Sequence, residues 1–147
     1  MTLYDLAQRF VGDLRELPGE AHDPFIQFCF TKCGWSADTP DETPWCSAWV
    51  NGLAWLLRLP RSKSAAARSW LHVGQTVALR EARVGYDLVV LKRGTNPAQG
   101  HVGLFAGYQA DTRRVSLLSG NDADTVTVRE YPEADVLGVR RLAPVTA

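Results

Sequence analysis

The chain has 147 residues, of which 46% are hydrophobic and 22% charged, and its 16 basic and 16 acidic residues cancel. This length and composition suit one globular domain over residues 1–147, with a core large enough to stand without metal or disulfide staples. No basic cluster interleaved with aromatics is present, which argues against a nucleic-acid partner, and no apolar run approaches the roughly 20 residues of a bilayer span.

The opening Met1-Thr2-Leu3-Tyr4-Asp5 lacks the basic-then-apolar order of a signal peptide, so synthesis in the cytoplasm without an export signal is expected. Three cysteines cannot all pair, and reduced thiols are expected. Leu3, Leu6, Phe10 and Leu14 recur at helical spacing, and Thr2 with Asp5 offers a cap. A helix is therefore predicted over residues 3 to 16, ending before Pro18-Gly19. Asp23-Pro24 is a cap-then-proline start for a second, shorter helix carrying Phe25, Ile26, Phe28 and Cys29 and stopping near Gly34. Cys29 and Cys33 fall on one side if that helix continues. A zinc site would need about two more ligands, and none stands nearby at familiar spacing, so both are read as packing residues and no metal or other cofactor is expected.

Thr43, able to accept a hydrogen bond, and Pro44, tolerated where a helix needs no N–H, predict a third helix that starts at Thr43-Pro44 and ends by Leu59-Pro60. Cys46, Trp49, Val50, Leu53 and Leu57 form its apolar stripe. Trp45, Trp49 and Trp55 are most simply packing residues, and Trp45 also suits the wall of a substrate groove. Ser64 caps a further short helix through Trp70 and Leu71, closed by Gly74, with His72 a surface residue near its end. After Gly85 the pattern changes to short β-rich runs: Asp87 to Lys92, His101 to Tyr108, Val115 to Ser119, Thr125 to Glu130 and Val136 to Arg141. Helices followed by about five hairpin-connected strands indicate an α+β domain, N-terminal helices on a C-terminal antiparallel sheet.

Cys46 falls in the first turn of its helix, where unpaired amides and the macrodipole favour an anion and hence a lowered thiol pKa. Its two readings are a nucleophile and a small buried hydrophobe. His101 opens a strand within Gly100-His101-Val102-Gly103, and Asn121 stands at the end of the next within Ser119-Gly120-Asn121-Asp122. A thiol attacking a carbonyl needs a base within reach, held in one tautomer by a polar third residue, and Cys, His and Asn are suitable types. Taken singly, His101 also reads as a hydrogen-bonded strand-end histidine, and Asn121 as a turn-former beside Gly120.

Pro44-Trp45-Cys46-Ser47-Ala48-Trp49-Val50, Gly85-Tyr86-Asp87-Leu88-Val89-Val90, Gly100-His101-Val102-Gly103-Leu104-Phe105 and Ser119-Gly120-Asn121-Asp122 resemble the successive motifs of the CHAP and NlpC-type papain-like cysteine hydrolases. The likeness runs from about Pro18 to Leu142 and is closest to a compact group from phages, prophages and bacterial genomes. It implies a papain-like fold and cleavage of a peptidoglycan amide bond, as a muramoyl-alanine amidase or a stem or cross-link endopeptidase. By it Cys46 is the nucleophile, His101 the general base and then acid, and Asn121 the orienting residue. Ser119 and Asp122 depart from the more usual glycine and glutamine, which leaves Asp122 as an alternative orienter. Trp45, Ser47, Asp41 and Glu42 are the candidate substrate contacts. The resemblance implies a monomeric endolysin released through a holin-type lesion, or a secreted antibacterial effector of the same chemistry. Rival expectations are an acyltransferase or hydrolase on a non-wall substrate, and a binding module without chemistry.

Overall fold

Thr2 and Asp5 form the reciprocal cap that their spacing predicts, each side chain bonding the other's backbone amide, and they start α1 (Leu3–Ala7). The computed structural model describes residues 1–18, 21–122 and 124–145. The helix predicted to residue 16 stops early. A 3₁₀ turn over Gln8–Phe10 follows α1, and the backbone turns at Gly12 with φ of 82°. Leu14, expected on the helical stripe, lies instead against the sheet edge, where its carbonyl accepts from the Val126 amide and the Thr125 hydroxyl. Local periodicity yields here to the unpaired edge of a strand.

Asp23 caps α2 (Pro24–Thr31) by accepting from the Phe25 and Ile26 amides, as predicted. The third helix, α3 (Cys46–Leu56), begins later than predicted: Trp45 is its cap residue, no side chain caps it, and Thr43 belongs to a turn whose amide bonds the Pro40 carbonyl. Cys46 is thus the first helical residue. Every residue from Cys46 to Ala54 is buried. The two polar positions in that run, Ser47 and Asn51, bond the segment that follows. Ser47 donates to the Ser64 carbonyl at 2.7 Å and accepts from Trp70 Nε1 at 2.9 Å, while Asn51 accepts from the Lys63 amide. Their hydrogen bonds offset the cost of burial and anchor the 3₁₀ helix Ala67–His72, which replaces the short α-helix expected there.

Among the described residues six antiparallel strands follow, one more than expected: β1 (Gln75–Val77), β2 (Asp87–Lys92), β3 (Gly100–Gln109), β4 (Arg114–Asp122), β5 (Thr125–Pro132) and β6 (Val136–Arg141). Their order is β1-β6-β2-β3-β4-β5. The fold is α+β, and no helix is long and apolar enough to cross a membrane among the described residues. Both faces of the sheet are covered. Leu88, Val90, Val102, Leu104 and Leu118 pack with α3, Phe30 and Ile26. Val89, Leu91, Phe105, Val115, Leu117 and Val139 form a second cluster on the opposite face with Leu79, Ala82 and Tyr131. Alternation along the strands separates the two clusters, and bulges interrupt the register between Val90 and Leu91 and between Phe105 and Gly107. Buried Asp87 receives both arms of Arg141, each at 2.7 Å, and ties β2 to β6 where those two residues are register partners.

Candidate active site

The site forms where the ladder between β3 and β4 lapses. Pairing of these strands begins at Leu104↔Leu118, so residues 100 to 103 have their ladder partners on β2 alone. The N-terminus of α3 fills this region. Gly120 lies directly under it: a Cβ there would stand 2.5 Å and 2.9 Å from two ring atoms of Trp45 and 3.3 Å from the Trp49 Cβ. The glycine of Ser119-Gly120-Asn121 therefore sets how closely the cysteine helix approaches the sheet.

Cys46 is 6% exposed. Burial pushes its thiol pKa up, against the amides of Val102, Ser47 and Cys46 itself and the Arg93 guanidinium, all of which favour the thiolate. The lowered pKa expected of a helix start is thus not what the structure gives. Desolvation of the sulfur outweighs one helical end. The resting thiol is protonated.

His101 lies on the face opposite Val102 and is 1% exposed. Its Nδ1 meets an Arg93 guanidinium nitrogen at 3.3 Å, and its Nε2 meets Ser119 Oγ at 2.8 Å and the Tyr131 hydroxyl at 3.5 Å. A guanidinium only donates, so Nδ1 is the acceptor and Nε2 carries the proton, which it donates to Ser119. Burial, then the Arg93 charge, push the His101 pKa down to about 4, with Asp122 acting the other way. The ring is neutral at pH 7, in the form a general base requires. The Arg93 charge acts on both the sulfur and the ring, and Nδ1 is the ring nitrogen that keeps an acceptor lone pair. No hydrogen bond joins the sulfur and the imidazole directly among the described residues.

The orienting position is filled differently from the expectation. Asn121 adopts a left-handed backbone, φ 56°, which suits an asparagine in its turn-forming role. Among the described residues the ring of His101 bonds Arg93, Ser119 and Tyr131, not Asn121. Asp122, the other candidate, is buried and reaches the histidine through Tyr131. It accepts from the Tyr131 hydroxyl and from Arg129 at 2.5 Å. Gly103 leaves room for Ser119, since a Cβ at 103 would stand 2.9 Å from that of Ser119.

Three of the four expected substrate contacts are interior. Asp41 is fully buried and accepts from the Leu17 amide at 2.8 Å and the Asp23 amide at 2.9 Å, with His22 Nδ1 at 3.2 Å. Burial raises its carboxyl pKa, but these hydrogen bonds prevail and hold it below the usual range. It braces the loop ahead of α2 rather than facing a ligand. Trp45 is fully buried, with Nε1 on Glu16 at 3.0 Å, and Ser47 serves the Ser64 and Trp70 contacts described above. Glu42 alone is exposed. Cys29 and Cys33 are buried free thiols, Cys29 against Gly52 of α3, in the packing role expected.

Sequence reasoning overlooked Arg93 and Tyr131 and passed over Ser119. The signal for Ser119 lay in alternation: it is two residues from Leu117 and shares its face, as His101 shares that of Gly103. No model of a known protein family matches the chain, and no curated protein matches it in sequence.

Proposed function

We propose that the protein is a papain-like cysteine hydrolase that cleaves an amide bond of peptidoglycan. The observations that support the chemistry are a thiol at a helix start and a buried, neutral, tautomer-fixed imidazole, with the Arg93 charge acting on both. The cell wall as substrate rests on the likeness of four motifs to the CHAP and NlpC-type enzymes.

In this reaction His101 Nδ1 takes the Cys46 proton as the sulfur attacks the carbonyl carbon. The C–N bond breaks, the amine leaves with that proton, and a thioester remains on Cys46. Water, deprotonated by the same nitrogen, then releases the acid and regenerates the thiol. Ser119 accepts from Nε2–H and holds the ring through the charged state, with Asp122 stabilising the imidazolium from behind Tyr131. The amide of Cys46, which has no intrahelical acceptor at the first turn of α3, is one donor for the oxyanion. An endolysin and a secreted antibacterial effector both use such an activity.

The test is digestion of purified sacculi by wild type and Cys46→Ala side by side, with mass spectrometry of the products. Release by wild type and none by a folded Cys46→Ala protein is expected. Equal release by both would reject the nucleophile. Free stem peptides would identify a muramoyl-alanine amidase, and cut stems or cross-links an endopeptidase. Inert sacculi together with selective labelling of Cys46 would redirect the reading to a non-wall amide.

A further inference from the structure

Arg93 follows β2 and is exposed. Arg114, Arg129 and Arg141 each pair with a carboxylate, whereas Arg93 pairs with none among the described residues. Its one hydrogen bond there is the 3.3 Å contact to the neutral Nδ1 of His101. That places a cation in conflict with the chemistry. The lone pair it occupies is the one that must receive the Cys46 proton, and its charge opposes the imidazolium that would form. The base works only once the guanidinium has moved off.

A carboxylate supplies the means, because it can accept two parallel, charge-assisted bonds from a guanidinium, where a neutral imidazole nitrogen accepts one weaker bond. The loop beyond Arg93 is held independently: Arg68 bonds the carbonyls of Gln99 at 2.7 Å and Asn96 at 3.4 Å. Arg93 can therefore change partner without unravelling the turn. We infer that Arg93 is a carboxylate-recognising latch, which caps His101 Nδ1 in the free protein and is drawn off by a carboxylate beside the scissile amide of the substrate. The inference rests on the hydrolase reading above and narrows its substrate class to acidic peptides. Arg93 is a positioning residue, acting on the reaction through His101.

The charged and titratable groups that act on His101 are Arg93, Asp122 on β4 and Tyr131 on β5, and of these only Arg93 is exposed enough to be exchanged. The test compares a synthetic stem peptide bearing free carboxylates with the same peptide fully amidated. A bidentate ion pair gained on binding predicts that wild type favours the acidic peptide by about tenfold or more in kcat/KM, and that Arg93→Gln brings the two within about threefold. Retention of the full preference by Arg93→Gln would overturn the latch. A second readout does not depend on turnover: the protonation midpoint of His101, followed by NMR in Cys46→Ala. It should rise on Arg93→Gln, and also on adding the acidic peptide when Arg93 is present; a midpoint indifferent to either would overturn the proposal. If wild type leaves peptides and sacculi intact while the midpoint moves both ways, the hydrolase reading fails and the latch stands.

Discussion

Acidification should destabilise the protein through His101, and the size of the effect follows from its environment. The ring is buried, and its pKa falls from an ordinary 6.5 to about 4. Near pH 7 it is neutral in both the folded and the unfolded chain. Below about 6.5 the unfolded chain takes up a proton that the folded chain refuses, and stability is lost until about pH 4, where the folded ring also protonates. At 1.36 kcal/mol per pH unit, the difference between those two values corresponds to about 3 kcal/mol. That is a large part of the roughly 5–15 kcal/mol typical of a domain. Other buried groups, Asp41 among them, lose stability in the same acid direction, so the contribution must be isolated. Urea unfolding of wild type and His101→Gln at pH 7 and pH 4.5 does so. Glutamine cannot titrate, and the stability lost between the two pH values should be smaller in the variant by about 2 kcal/mol. Equal losses would refute the claim that burial keeps this ring neutral.

Ser119→Ala should lower kcat on sacculi by roughly a hundredfold, because the neutral tautomer loses its acceptor, while Asn121→Ala should cost less than about tenfold. Turnover of the two variants side by side decides between the orienters; the reverse ranking would restore Asn121. Gly120→Ala forces a methyl into the Trp45 ring and should destabilise by about 1–3 kcal/mol, read as a fall in Tm of roughly 2–12 °C. An unchanged Tm would mean that α3 can retreat from the sheet at no cost. Asp41→Asn should cost about 1–3 kcal/mol in urea unfolding, because it weakens two buried amide bonds to a carboxylate. It should leave the pH dependence of activity in place, in contrast to what a substrate contact would do.

The segments that were legible in the chain are those whose signals are local. Capping by Thr2 and Asp23 appears as read, and the strands Asp87–Lys92 and Val136–Arg141 have the bounds that their β-rich runs predict. Cys46 could be placed at a helix start, and His101 on a strand, because proline, capping and alternation each act within a few residues. The errors share another cause. Leu14 left its helical pattern for a strand edge more than a hundred residues away, Trp45 took the cap position from Thr43, and Asp41 turned inward to satisfy the amides of Leu17 and Asp23.

By itself, then, the sequence determined the α+β class of the fold, the caps that start its first two helices and the positions of a cysteine at a helix start and a histidine on a strand. Short-range sterics and the periods of helix and strand are written residue by residue. Only the tertiary structure decided that Ser119 bonds His101, that Asp122 bonds Tyr131 beside that ring, that burial raises the Cys46 pKa and that Arg93 meets the His101 Nδ1. Each of these depends on which groups meet across the lapse between β3 and β4 and on how much water they lose there. Proximity and desolvation belong to the folded chain, and no local pattern encodes them.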